Sequence, residues 1–202
     1  MVQVILAAAL ILFSATASAT AGKPPLWTTR DYLQVNWSPA MPVGNTADIA
    51  GRPAFIGAAV GYRFRVNDRL SVGPRIQWQM FEDRRAATLM RDGISTSGIR
   101  RDELRVLAPS AVAHLYFQGR QTLLPFLGAG AGAGRFRQTT RLSGTDRIHS
   151  DWHPTVLIEA GMIAMLHRIP ILLCIALQHG IITRAAPGQT FVGFQLGVLL
   201  IN

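Results

Sequence analysis

The feature that most limits how this chain can fold is a period of two. It recurs where a helical stripe would show a period near 3.6. In LSVGPRIQWQM, Leu70, Val72, Pro74, Ile76, Trp78 and Met80 share one face, while Ser71, Gly73, Arg75, Gln77 and Gln79 share the other. Successive side chains of a strand point to opposite sides, so this is the pattern of a strand with one apolar and one polar face. One arginine and two glutamines are a poor lining for a packed core and a natural one for a wet or polar interior.

Eight segments carry this alternation, at about 30–38, 54–66, 69–82, 104–118, 121–136, 152–166, 170–182 and 189–201. Several exceed the usual strand length, and most reach the roughly 9–11 residues that cross a bilayer at a tilt. The links at 66–69, 117–121 and 166–169 are tight. Those near 39–53, 83–103 and 137–151 are long and polar or rich in turn residues, and 183–188 is intermediate. Short turns at one rim and long loops at the other, with an even strand count, predict an all-β fold: an eight-stranded antiparallel up-and-down transmembrane β-barrel. Closure pairs every backbone group where water is absent. Tyr62, Phe64, Trp78, Tyr116, Phe117 and Phe194 are candidates for its interfacial aromatic girdles.

The strand period also explains LLPFLGAGAGAGRF. Gly128, Gly130, Gly132 and Gly134 fall on one face with Phe126, and Ala129, Ala131 and Ala133 on the other. A phosphate-binding loop needs Lys-Ser/Thr after its glycines and a helix beyond; here Arg135-Phe136-Arg137 follows. Small inward residues instead make room inside a narrow tube. The second segment places Gly57, Gly61, Arg63 and Arg65 inward, the fourth places His114 and Tyr116 opposite Leu107 to Phe117, and the eighth places Gly193, Gln195 and Gly197 inward. The seventh barely alternates.

Residues 1–21 read as a signal peptide, with an apolar run from Val4 to Phe13 and small-residue cleavage positions after Ala19 or Ala21. The barrel domain is then 22–202. The net charge is +9, and 19 of the 20 basic residues are arginine, which suits anionic partners. Export counts against nucleic acid. The single cysteine, Cys174, excludes an internal disulfide and lies in an apolar run.

Glu159 is the sole acid within segments five to eight. An ionised carboxylate inside a barrel needs a partner, so a lumen network of Glu159 with Arg63, Arg65, Arg75 and Gln77 is expected to plug the tube. His149, Asp151 and His153 sit in a connection and read as solvated rim residues, not as a metal site. No cofactor is expected.

The lines IGAAVGYRFRVNDRLSVG (56–73), LLPFLGAGAGAG (123–134), VLIEAGMI (156–163) and TFVGFQLGVLLIN (190–202) resemble the small outer-membrane β-barrel, porin-like proteins. That resemblance implies a cell outer membrane location, insertion by the outer-membrane assembly machinery and a monomeric barrel. Such barrels commonly end in an aromatic residue, whereas this chain ends Leu200-Ile201-Asn202. A weaker likeness is to outer-membrane lipid A deacylases, which carry His-x-Ser near the end of the penultimate strand. Here His179 is followed by Ile181 at the serine position, and no acid follows it.

The function expected is non-enzymatic: a structural or surface-interaction role with passage of a small solute as an option. The alternatives are a lipid A deacylase-like hydrolase and a soluble periplasmic lipocalin-like ligand-binding barrel. Arginine pairs with phosphate in bidentate geometry. Arg84, Arg85, Arg91, Arg100 and Arg101 in one long connection, and Arg135, Arg137, Arg141 and Arg147 in the next, are therefore the expected contacts with lipopolysaccharide.

Overall fold

The fold was determined as a computed structural model, which describes residues 31–91, 94–117, 123–142, 145–166, 169–180 and 189–201. The side chains of 87–97, 142–145, 166 and 201 are outside that description, as are the expected signal segment and its cleavage positions. The described residues form β1 (Tyr32–Trp37), β2 (Ala40–Val43), a short helix α1 (Asn45–Ile49), β3 (Ile56–Asn67), β4 (Leu70–Arg91), β5 (Ile94–Tyr116), β6 (Leu123–Leu142), β7 (Thr145–Leu166), β8 (Ile169–Gly180) and β9 (Thr190–Ile201). Every pairing is antiparallel. Each strand from β3 to β9 pairs with the next, and β1 bonds to both β3 and β9, so the sheet closes on itself.

Nine strands make eight positions in the wall. β1 and β2 run end to end along β9 in one register, Trp37 opposite Leu196 and Ala40 opposite Gly193. On the β3 side the register slips by one, from Trp37 opposite Ala58 to an isolated bridge between Ala40 and Ala54. Pro39, at the break, has no N–H to continue a ladder. The link expected at 39–53 thus contains a strand and a helix.

The larger correction concerns the other two long connections. Residues 83–103 and 137–151 are not loops. β4 and β5 remain paired up to Arg91 and Ile94, and β6 and β7 up to Leu142 and Thr145. β3 reaches only to the pair Ile56–Met80, and β7 meets β8 only from Thr155. Four strands therefore rise past the closed tube as a curved sheet. Alternation fades there because both faces of that sheet are polar, and an apolar face is what the strand period reports.

Within the closed part the faces follow the expected parity. Val60, Ile76, Leu107, Ile158 and Val198 are all exposed outward, while Arg63, Ser71, Arg75, Gln79, His114, Glu159 and Gln195 are buried inward. β8, ambiguous in sequence, turns Leu172, Cys174, Ala176 and Gln178 inward. Tyr116 departs from its expected place in a girdle: only 2% exposed, it belongs to the lumen. The lumen is layered. Tyr32, Tyr116, Leu124, Phe126, Ile163, Leu172 and Leu199 pack near the rim with the short turns. Phe81, Leu104, Val106, Phe136 and Phe191 pack toward the projecting sheet. The polar residues around Glu159 lie between these two clusters, beside a third made of Val112, Leu157 and Ala176.

Candidate functional site

Two constellations emerge, one inside the tube and one outside it. The inner one centres on Glu159. Arg75 Nη1 donates to Glu159 Oε2 at 2.5 Å, and Arg75 Nη2 donates to Gln77 Oε1 at 2.8 Å. His114 Nε2 bonds to the other carboxylate oxygen, Oε1. The opposite ring nitrogen, Nδ1, lies 3.5 Å from the Tyr116 hydroxyl, which bonds to Ser71 Oγ at 2.8 Å and to the Tyr32 hydroxyl. The imidazole stacks on Phe126 with ring centroids 4.5 Å apart. Cys174 Sγ stands 3.9 Å from Glu159 Oε2.

The glycine run makes this arrangement fit. Gly128 lies between His114 and Glu159 in register. A Cβ there would come within 2.6 Å of Glu159 Cγ and 2.8 Å of His114 Cδ2. The pair closes over the bare backbone of β6. Gly132 serves a different close approach, since its Cβ would lie 2.1 Å from the Pro109 carbonyl oxygen across the ladder.

Of the residues expected around Glu159, Arg75 and Gln77 join it. Arg63 is fully buried nearby but gives its Nη1 to the carbonyls of Tyr62 and Pro74, each at 3.3 Å. Arg65 does not join the carboxylate. It sits close to the turn rim, where Nη2 donates to the Asp68 carbonyl at 2.6 Å and the guanidinium lies 4.2 Å from the centre of the Tyr116 ring. Too near the β3–β4 turn to reach Glu159, it finds an aromatic face instead. Sequence reasoning placed His114 and Tyr116 on the inner face without drawing them into the network, and it missed Tyr32 and the role of Ser71. Inward parity beside Arg75 was the signal available for Ser71.

The outer constellation lies on the face of the projecting sheet that continues the outward apolar side of the barrel. Leu107, Arg135 and Trp152 stand side by side on β5, β6 and β7. One step further out come Met80, Arg105, Arg137 and Ser150, then Glu82, Glu103, Thr139 and Ile148, then Arg84, Arg101, Arg141 and Asp146. Arg101 and Arg84 both bond to Glu82 at 2.9 Å, Arg105 bonds to Glu103, and Arg141 bonds to Asp146 at 3.2 Å. Hydrogen bonds from Arg101 and then Arg84 hold the Glu82 carboxyl below its ordinary range. Among the described residues, Arg135 bonds only to the hydroxyl of Ser150, at 3.1 Å, and Arg137 has no bonding partner.

The expected lipopolysaccharide contacts therefore divide. Arg84, Arg101, Arg135, Arg137 and Arg141 share the outer face, joined by Arg105, which the sequence reading left out because it lay inside a segment drawn as a strand. Arg85 and Arg100 belong to the inner face and pair with Asp83 at 2.6 Å and Asp102 at 2.8 Å. The hydrogen bond from Arg85 keeps Asp83 below its ordinary range. Arg147 faces inward by register, and the Arg91 side chain lies outside the described residues.

His149 Nε2 lies 2.5 Å from Asp151 Oδ2, and no group of three metal-ligating side chains occurs among the described residues. His179 is turned outward and its Nδ1 bonds to Thr190 Oγ1 at 2.7 Å. Among the described residues no carboxylate bonds to it, and Ile181 lies outside them. Among the described residues, no orienting acid completes a hydrolase triad at His179.

A closed strand ring, a lumen with a buried polar layer flanked by apolar clusters and an outward apolar surface define the class: the chain has the fold of the small outer-membrane β-barrels. A soluble lipocalin-like barrel needs the reverse, an apolar interior within a polar exterior. Solved structures place the fold more closely. Neisserial surface protein A superposes with a TM-score of 0.56 at 13% identity, over 84% of this chain and 96% of that one. Ail, the attachment invasion locus protein of Yersinia pestis, superposes with a TM-score of 0.52 at 9% identity, over 85% of this chain and 99% of that one. The same protein in complex with the heparin analogue sucrose octasulfate gives 0.51 at 10% identity, over 85% and 98%. At such identities the likeness is one of fold. No protein-family model matches the chain, and no curated protein matches its sequence.

Proposed function

We propose that this protein is a non-enzymatic outer-membrane β-barrel whose projecting sheet binds the phosphorylated sugars of lipopolysaccharide through its outer arginines. The observation that carries the reading is the cross-strand stacking of like charges. Arg84, Arg101 and Arg141 lie abreast on three adjacent strands, and Arg105 and Arg137 lie abreast two levels nearer the apolar belt. Like charges directly opposite one another destabilise a sheet. Glu82, Glu103 and Asp146 offset part of the repulsion, leaving six arginines against three acids on this face. Arg135 and Arg137, the two without acidic partners, sit beside Trp152 at the edge of the lipid-facing surface, where a headgroup phosphate lies within reach. Ail has been crystallised with a polysulfated sugar; a polyanion on an arginine ladder is the same chemistry. The buried side chains that fill the lumen support a role at the surface over passage of a hydrated solute.

The test is titration of the barrel, refolded in zwitterionic detergent, with lipid A, followed by tryptophan fluorescence. The double substitution Arg135→Gln/Arg137→Gln is expected to weaken binding about tenfold or more, since each charge-assisted hydrogen bond contributes about 1.5–3 kcal/mol. It should also flatten the salt dependence. Equal affinity for dephosphorylated lipid A, or no loss in the double variant, overturns the reading.

A further inference from the structure

The layer of the lumen around Glu159 carries one positive charge too many. Its polar layer holds two guanidiniums, Arg63 and Arg75, which are 0% and 2% exposed, and one carboxylate, Glu159, at 1%. Both oxygens of that carboxylate are taken, one by Arg75 and one by His114. With His114 neutral the layer sums to one uncompensated cation, and a protonated His114 would enlarge the excess. A buried charge without a counter-charge is among the costliest groups a protein can hold.

Arg63 is where the excess resides. Its guanidinium folds back over Gly61, whose Cβ would lie 3.0 Å from Nη1, and Gly61 is the cross-strand partner of Arg75. Only Nη1 makes hydrogen bonds, both long and both to neutral carbonyls. Nε and Nη2 have no partner among the described residues, and Arg75 Nε has none either. Nε and Nη2 lie along one edge of the guanidinium plane, the edge that grips an anion with two parallel N–H donors.

From this geometry we infer that the barrel binds a small monovalent anion inside its lumen, chelated by Nε and Nη2 of Arg63. Charge balance selects a monovalent ion, because one negative charge neutralises the layer. Enclosure between the two apolar clusters selects a small one. The ion is held in place rather than conducted, and it completes the plug that Glu159 and Arg75 begin. The site is independent of the outer arginine ladder.

The native barrel, refolded in zwitterionic detergent, is unfolded by heat at fixed ionic strength while sodium gluconate is exchanged for chloride or bromide; fold-dependent gel mobility reports the midpoint. The midpoint is expected to rise saturably with either halide and to stay level with sulfate. Arg63→Gln abolishes the response, whereas Glu159→Gln, which removes the only carboxylate of the layer, raises the apparent halide affinity at least tenfold. Should Arg63→Gln fail to fold, crystals of the native barrel refolded and grown in bromide decide, with an anomalous peak expected against Arg63 Nε and Nη2. Equal midpoints in gluconate and chloride, a halide response that survives Arg63→Gln, or no bromide peak at Arg63 overturns the inference.

Discussion

Replacing Gly128 by alanine adds one methyl group between His114 and Glu159 in the lumen. The new Cβ would lie 2.6 Å from Glu159 Cγ, 2.8 Å from His114 Cδ2 and 2.9 Å from Glu159 Oε1. These are side-chain atoms, but neither side chain is free to leave. Glu159 is held by Arg75, and the His114 ring is stacked on Phe126. Overpacking of this kind costs about 1–3 kcal/mol. If the His114–Glu159 bond yields, a charge-assisted hydrogen bond of about 1.5–3 kcal/mol is lost as well. The expected destabilisation is therefore about 3–5 kcal/mol, measured by urea unfolding of the barrel in lipid vesicles with tryptophan fluorescence as the probe. His114→Ala removes one of the two colliding side chains, so Gly128→Ala should cost at least 1 kcal/mol less in that background, a coupling typical of touching residues. Ala129→Val, one residue along and facing lipid, should change stability by less than about 0.5 kcal/mol. A Gly128→Ala variant as stable as the native barrel, or a cost unchanged by His114→Ala, would refute the proposed packing of histidine and glutamate over the glycine.

Three further predictions concern charge and facing. Glu159→Ala should destabilise by about 3–5 kcal/mol, because it strands the buried Arg75, and Glu159→Met combined with Arg75→Met should recover most of that loss in the same unfolding assay. Glu82 and Asp83 have depressed folded-state pKa values, so their contribution is present above the ordinary carboxylate range and is lost as pH falls through the folded values; amide exchange in the projecting sheet should be slow at pH 6 and accelerate below about pH 4, while the closed barrel stays protected. Nitroxide labels at Val72 and Ile76 should be relaxed by lipid-soluble oxygen, and labels at Ser71 and Gln77 should not; the opposite pattern would invert the barrel.

How far the sequence could be read depended on contrast between faces. Where lipid lies on one side and a polar lumen on the other, the alternation of Ile76 with Arg75 and Gln77 is strong, and the strands of the closed tube were legible. Past Glu82 and before Leu104 the sequence carries charged and polar residues at both parities, as in Asp83-Arg84-Arg85 and Arg100-Arg101-Asp102, so the contrast is lost and two paired strands read as a loop. Asp92-Gly93 between two stretches of similar length was a hairpin signal of another kind, carried by turn chemistry instead of hydrophobicity. Ser143-Gly144 was a weaker version of it. The break at Ser38–Pro39 left only the proline as a trace.

The sequence alone determined the barrel, its even count of wall positions, the inward face of each clearly alternating strand and the need of Glu159 for a cationic partner, because each follows from a local period or from the cost of an isolated charge. It could not choose among Arg63, Arg65 and Arg75. That choice depends on how strands are staggered around a closed ring, and stagger brings Arg75 and His114 to the same carboxylate from residues 84 and 45 positions away. The same stagger leaves Arg63 buried with two nitrogens unpartnered among the described residues and sets Arg84, Arg101 and Arg141 abreast. Those contacts exist only once the sheet has closed, since cross-strand neighbours are chosen by register and not by distance along the chain.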